Sequence, residues 1–85
     1  MTFSLPKMVT QENALQLEKE GLLNFDNLRM IDCSSLADFD STVLTVLLAW
    51  QKKLQADGRS LSIERAPEKL KVLAGVYGVS ALLGL

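Results

Sequence analysis

Residues 42–57 read T-V-L-T-V-L-L-A-W-Q-K-K-L-Q-A-D, and their apolar positions recur at the spacing of one face of an α-helix. Gly58 follows directly and is a natural residue to end a helix, while Lys52 and Lys53 near that end suit the helix dipole. The pattern therefore predicts an amphipathic helix from about Thr42 to Asp57. Its buried face is expected to contain Val43, Leu44, Val46, Leu47, Leu48, Trp50 and Leu54.

Strand patterns lie on both sides of this helix. The segment L-R-M-I-D-C, residues 28–33, carries apolar residues on both of its faces, which is typical of a strand covered on both sides. A loop with Ser34, Ser35, Asp38 and Asp40 is expected after it. The segment R-S-L-S-I-E-R-A, residues 59–66, alternates apolar and polar residues and predicts a second strand. Strand, helix and strand at this spacing predict a right-handed parallel βαβ unit, so the expected fold class is α/β: a small, mostly parallel sheet with helices packed against it.

Three further elements are expected within a single domain spanning residues 1–85. A short strand is placed at Thr2–Leu5, and a helix begins near Thr10 with Leu17 and Gly21 on its buried side. Pro67 suits the first turn of a final helix that Gly78 ends. The predicted buried face of that helix is Leu70, Leu73, Ala74 and Tyr77.

The composition excludes several classes of function. The chain has no histidine and one cysteine, so a zinc site, a Ser-His-Asp triad and a disulfide framework lack their residues. Nine basic and ten acidic residues are spread along the chain, which argues against binding to nucleic acid. No apolar run approaches the roughly 20 residues that span a bilayer, and the N-terminal residues lack a signal-peptide pattern. We therefore expect a cytoplasmic protein, not an enzyme, with no cofactor or metal, that meets membranes only through partners.

The candidate site is the start of the long helix, in D-F-D-S-T-V-L, residues 38–44. Thr42, Thr45 and Ala49 fall on the side of the helix opposite its apolar face, where long charged side chains are more usual. Such small residues let another backbone approach closely, which indicates a docking surface. For Ser41 the residues alone leave two interpretations open: an N-cap of the helix, or a functional hydroxyl.

The residues around Ser41 have alternatives of their own. Phe39 is either an exposed aromatic anchor for a partner or a core side chain, and the sequence does not choose between them. Asp38 and Asp40 are expected to be solvent-exposed turn residues and not a catalytic carboxylate pair. Cys33 is expected to be a small core residue.

Two stretches resemble a known family. The run M-I-D-C-S-S-L-A-D-F-D-S-T-V-L, residues 30–44, is similar to the signature of STAS domains, in which a strand and a short loop precede Asp-Ser-(Ser/Thr)-Gly-Leu at the start of a helix. The run K-V-L-A-G-V-Y-G-V-S-A-L-L, residues 71–83, resembles the final helix of MlaB-type STAS proteins, where Leu-Ala-x-x-Tyr recurs. The resemblance covers roughly residues 5–85. It favours the MlaB type, a subunit of the bacterial Mla phospholipid transport system, over the anti-sigma factor antagonists.

The resemblance implies roles for single residues. Asp40 matches the signature aspartate, Thr42 the small residue of the motif, and Leu44 the core leucine. Ser41 matches the hydroxyl that is phosphorylated in anti-sigma factor antagonists. It also matches the threonine that MlaB-type proteins use at the interface with their ATPase partner.

Three departures from the family pattern stand beside these matches. Val43 occupies a position that is usually glycine, which puts close backbone approach there in doubt or requires a matching hollow in the partner. Lys7, Met8, Val9 and Thr10 replace the usual Gly-Glu-Leu-Asp turn. A strand that precedes Thr2–Leu5 in typical STAS domains is missing, either because the domain is reduced or because the sequence starts late.

The resemblance implies a non-catalytic interaction subunit that binds and supports the cytoplasmic ATPase (MlaF-type) of an Mla-type phospholipid ABC transporter, at the inner face of the inner membrane. The alternative is an anti-sigma factor antagonist whose partner is an anti-sigma factor or serine kinase and which is regulated by phosphorylation of Ser41. The oligomeric state is left open. The residues expected to contact a partner are Phe39, Asp40, Ser41, Thr42, Thr45 and Ala49.

Overall fold

A computed structural model describes residues 3–23 and 30–85. Within these ranges, three strands form a parallel sheet, two more form a separate parallel pair, and four helices alternate with the strands or follow them along the chain. In chain order the elements are β1 (Phe3–Ser4), β2 (Met8–Val9), α1 (Ala14–Leu23), β3 (Met30–Asp32), β4 (Asp38–Phe39), α2 (Thr42–Ala56), β5 (Ser62–Glu64), α3 (Glu68–Val76) and α4 (Ser80–Leu83).

The unit β3–α2–β5 has the predicted parallel arrangement. The three-stranded sheet has the order β1–β3–β5, and Ile31 of β3 is in register with Phe3 of β1 and Ile63 of β5. Helix α2 ends one residue before the predicted end, and Gly58 has a φ of 74°, the left-handed conformation that glycine adopts without a steric penalty. The α/β fold class is confirmed.

Within the described residues one face of the sheet is buried and the other is exposed, so the predicted burial of Met30 is wrong. Leu28, which was predicted to share the face of Met30, lies outside the described residues. Ile31 is fully buried, whereas Met30 on the opposite face is 41% exposed. Met30 is in register with the exposed Ser62, and Ser4 on the same face of β1 is also exposed. Apolar residues at alternate positions of one strand do not establish two covered faces when the neighbouring strands carry serine there.

Helix α1 begins at Ala14, and Thr10 lies in the turn before it. The Thr10 carbonyl accepts hydrogen bonds from the backbone N–H groups of Asn13 and Ala14. The Asn13 side chain closes the same turn, because its Oδ1 accepts the Thr10 N–H at 2.9 Å. Leu17 and Gly21 are buried as predicted.

Helix α3 follows Pro67 and buries Leu70 and Ala74, in agreement with the predicted face. Tyr77 is 58% exposed, so its assignment to that face is wrong. The helix ends at Val76, and Gly78 at a φ of 71° redirects the chain, so Tyr77 lies outside the regular repeat that places every third or fourth side chain on one face.

The indole of Trp50 is the centre of the core. It is fully buried, and its Nε1–H donates a hydrogen bond to the Glu18 carbonyl of α1 at 3.1 Å. The Phe3 ring of β1 meets it edge-on, with ring centroids 5.3 Å apart. Gly21 of α1 lies directly against the indole, where a Cβ atom would overlap ring atoms. One side chain therefore joins α1, α2 and β1.

The helices of the described residues are too short or too polar to cross a membrane. The longest, α2, has 15 residues, and a helix of that length extends about 22 Å.

We expect Gly21→Ala to destabilise the fold. The added methyl group overlaps the Trp50 indole, and overpacking of this kind costs about 1–3 kcal/mol, of which better helix propensity returns about 1 kcal/mol. Gly75→Ala is the matched control, because a Cβ there meets only Ser80 Oγ at 3.7 Å. It should stabilise by about 0.4–1 kcal/mol. Urea denaturation compares the two, and equal free energies of unfolding would contradict the contact.

The thiol of Cys33 is predicted to be unreactive in the folded protein. Cys33 is fully buried, and burial, with the Asp32 charge as a second cause, raises its pKa to about 11. At pH 8 only about one thiol in a thousand is then ionised, and the thiolate is the reactive form. Reaction with Ellman's reagent should be slow in buffer and fast in urea. Similar rates under the two conditions would contradict this placement.

Candidate functional site

The loop before α2 is held by the N-terminal segment of the chain. Strand β4, within the predicted loop, pairs with β2, so that Met8 is in register with Asp38 and Val9 with Phe39. The Lys7 carbonyl accepts the Ala37 and Asp38 N–H groups at 2.9 and 3.0 Å. The expectation of a loop throughout this segment is therefore corrected, and the pairing fixes where α2 begins.

Asp40, and not Ser41, supplies the side-chain cap of α2. Its Oδ1 accepts a hydrogen bond from the Thr42 N–H at 2.9 Å and a second one from the Thr42 hydroxyl. Its carbonyl accepts the Val43 N–H at 3.2 Å. The Thr42 hydroxyl and N–H hold the pKa of this exposed carboxyl below its usual value, because they stabilise the charged form.

Ser41 has a helical backbone, with φ −63° and ψ −15°, and its side chain makes no capping hydrogen bond. Of its two interpretations, the one in which the Ser41 side chain caps the helix is therefore wrong. A capping residue normally has an extended backbone, which aims its oxygen at the N–H groups of the first turn. The helical Ser41 does not have that geometry; the residue is half-buried, and its hydroxyl makes no capping hydrogen bond.

The structure brings the small residues of the predicted docking surface together at the N-terminal half of α2. Thr45 is exposed, and Ser41, Thr42 and Ala49 are half-buried. We call these four residues the Ser41 surface. The Thr42 hydroxyl is already bound to Asp40, so Ser41 and Thr45 provide the hydroxyls of this surface that the helix does not use.

Val43 does not add bulk to the Ser41 surface. Its side chain is fully buried in the core, beneath the helix and not on its outer side. The departure from the family's glycine therefore changes the interior packing at the start of α2. The outward approach of another backbone is not blocked by this residue.

Phe39 is a core residue, with 6% of its surface exposed. The structure thus decides between its two interpretations, and an exposed aromatic anchor at this position is wrong. The pairing of β4 with β2 turns the ring inward. The Lys69 ammonium of α3 lies 5.3 Å from the ring centroid, a cation–π distance. Sequence reasoning missed Lys69, because no local pattern links residues 30 positions apart.

Asp32 forms a second polar cluster at the end of β3. Its carboxylate accepts the Ser34 N–H at 3.0 Å and the Ser34 hydroxyl at 3.1 Å, and Arg65 lies 3.4 Å away. These bonds to Ser34, with a smaller contribution from Arg65, lower the pKa of Asp32. Arg65 has a φ of 55°, an unusual value for a residue with a side chain. The carboxylate is satisfied within its own turn, which is a structural role.

The comparison with protein families now gives the class. The family model described as "Mlab, STAS domain" matches residues 4–84. The chain belongs to the MlaB-type STAS domain family, as its sequence resemblance implied. Proteins of this family generally have a protein-interaction role and are generally non-catalytic. The comparisons with curated proteins and with solved structures gave no match.

The capping role of Asp40 predicts a pH-dependent contribution to stability. Because the pKa of Asp40 is lower in the folded chain than in the unfolded chain, the carboxylate stabilises the fold above the unfolded pKa of about 3.9. That contribution is lost as the pH falls through the folded pKa. Asp40→Ala should lower the urea midpoint at pH 7, and its difference from the wild type should narrow below about pH 4.

Ser41→Ala is the control for this experiment, because the neighbouring hydroxyl makes no capping hydrogen bond. Its urea midpoint should equal that of the wild type throughout the pH range. A loss of stability in Ser41→Ala as large as that in Asp40→Ala would show that the serine is the cap.

Proposed function

We propose that this chain binds the cytoplasmic ATPase subunit (MlaF-type) of an Mla-type phospholipid ABC transporter through the Ser41 surface. The observation that carries the proposal is the match of nearly the whole chain, residues 4–84, to the MlaB-type STAS family. The resemblance of residues 71–83 to the final helix of MlaB-type proteins also supports the proposal.

The chemistry of the Ser41 surface supports protein docking. Small side chains allow two backbones to approach closely, and the hydroxyls of Ser41 and Thr45 can each donate or accept a hydrogen bond. Asp40 holds Thr42 in place, so the surface is ordered before a partner arrives. Pre-organisation of this kind reduces the entropy lost on binding.

In this proposal the chain acts by binding and performs no chemistry. A subunit that binds the assembled ATPase better than its separated or unfolded forms stabilises the assembled form by mass action. The chain reaches the inner face of the membrane through its partner.

The alternative function is an anti-sigma factor antagonist regulated by phosphorylation of Ser41. The observation that favours it is the Ser41 hydroxyl at the helix start, which makes no capping bond. A phosphate there would add about two negative charges, which the N-terminus of α2 favours and the nearby Asp38 and Asp40 oppose. Against it, Met8 and Thr10 stand at the two acidic positions of the Gly-Glu-Leu-Asp turn, whose acidic residues the antagonists use to meet their kinase.

Co-purification with a tagged ATPase subunit, taken from the organism that encodes this chain, tests the proposal. The wild type should be recovered with the ATPase. Ser41→Glu and Thr45→Arg should reduce recovery about tenfold or more, since each places a long charged side chain on the surface, and tenfold corresponds to about 1.4 kcal/mol of binding free energy.

Ser60→Glu is the matched control, because it adds the same charge at an exposed serine beyond the opposite end of α2. It should be recovered like the wild type. Equal recovery of all four proteins would rule out the Ser41 surface, and no recovery of the wild type would rule out the ATPase partner. Phosphate on Ser41, detected by mass spectrometry after incubation with cellular kinases and ATP, would favour the antagonist.

A further inference from the structure

Strands β2 and β4 form a pair that is separate from the three-stranded sheet. Each strand has two residues, and two strands alone are at best marginally stable in water. Val9 and Phe39 are partners in this pair, and both side chains are buried in the core. The pair leads the chain directly into α2, so the contacts that hold β2 in place also decide where α2 begins.

The segment that contains β2, residues 7–13, follows the loop before α2, and we call this segment the N-terminal strap. Besides the two bonds to its first carbonyl described above, the Val9 carbonyl accepts the Asp40 N–H at 3.3 Å. After the Thr42 hydroxyl and N–H, the Gln11 N–H is a further group that lowers the pKa of the Asp40 carboxyl. The strap therefore contacts the loop from β4 to the residue that caps α2.

The side chain of Asn13 ties the N-terminal strap to α1. Its Nδ2 donates a hydrogen bond to the Met8 carbonyl of β2 at 2.7 Å, and its Oδ1 accepts the Thr10 N–H at 2.9 Å. Asn13 directly precedes α1, whose buried residues are Leu17 and Gly21. One amide thus joins a two-residue strand to a helix that the core holds in place.

We infer that Asn13 is a positioning residue for the start of α2. Its amide keeps the N-terminal strap closed, and the strap opens together with β4 and the loop that leads into α2, while α1 and the three-stranded sheet stay folded. Segments that open locally are typically joined by exposed backbone hydrogen bonds. The bonds between strap and loop meet this condition, because their donors are the N–H groups of three exposed residues, Ala37, Asp38 and Asp40. We call these N–H groups the loop amides.

Native-state hydrogen exchange of the wild type, measured at urea concentrations below the unfolding transition, tests the joint opening and involves no partner. The loop amides should share one free energy of opening and one small dependence on urea, because a single local opening exposes them all. The N–H groups of Leu5 and Cys33, which bond across the three-stranded sheet, should show a larger free energy and a larger dependence. Equal values for both groups would mean that the loop opens only when the whole chain unfolds, and would overturn the inference.

The substitution Asn13→Asp tests the role of the side chain. A carboxylate still accepts the Thr10 N–H, but it has no proton for the Met8 carbonyl. Aspartate is also a favoured residue at the start of a helix, so α1 should form as in the wild type. Exchange of the loop amides should become about tenfold faster, because the loss of one hydrogen bond raises the population of the open form by about this factor.

The matched control is Gln16→Glu, which makes the same chemical change on the exposed side of α1, where the Gln16 side chain bonds to Glu20. Since α1 stays folded when the strap opens, this variant should leave the exchange of the loop amides at the wild-type rate. Wild-type rates in Asn13→Asp, or an equal increase in both variants, would show that Asn13 serves α1 alone and would overturn its positioning role. Because the ATPase is absent from these measurements, their outcome is separate from that of the co-purification proposed above.

Discussion

The contact between the Trp50 indole and Gly21 sets how closely α1 and α2 approach, and the rest of the architecture depends on it. An indole is the largest side chain that a protein can bury, and here it lies where the neighbouring helix has no side chain at all. Its N–H donates to the backbone of α1, and Phe3 closes its remaining edge. The indole N–H thus has a hydrogen-bond partner, and the ring is packed against Gly21 and Phe3. These contacts fix the position of α2 relative to α1 and β1. The outward direction of its exposed side follows from that position.

Local patterns explain the parts of the fold that the sequence predicts well. Helix α2 combines an unbroken apolar face with a glycine at its end, and both signals act within a few residues of one another. The same holds for β5 and for the start and end of α3, where Pro67 restricts the backbone and Gly78 permits the left-handed conformation that ends the helix. The parallel order of β3 and β5 then follows from the length of the connection that α2 occupies.

The features that the sequence did not predict are of two kinds. Some depend on residues that are distant in sequence, and one depends on two neighbouring side chains that could each cap the same helix. The pairing of β2 with β4 joins two segments of two residues, 30 positions apart, and neither is long enough to show a periodic pattern. That pairing buries Phe39, whose place the sequence left open. Asp40 and Ser41 are both good capping residues, and only the backbone angles show which side chain faces the N–H groups. The residues of the candidate surface could therefore be chosen from the sequence. The β2–β4 pairing and the Asp40 cap, which position those residues, could not.

The position of the side-chain cap on Asp40 and not on Ser41 has an evolutionary consequence. Asp40 fixes the start of α2, so the residue at position 41 has no duty in folding that constrains its choice. Substitutions there can be selected for partner fit alone, and a new hydroxyl, methyl or charge can be tried without loss of the helix. If the proposed surface is correct, a domain built in this way can change partners by single substitutions, because the residue that holds the helix and the residue proposed to meet the partner are different neighbours.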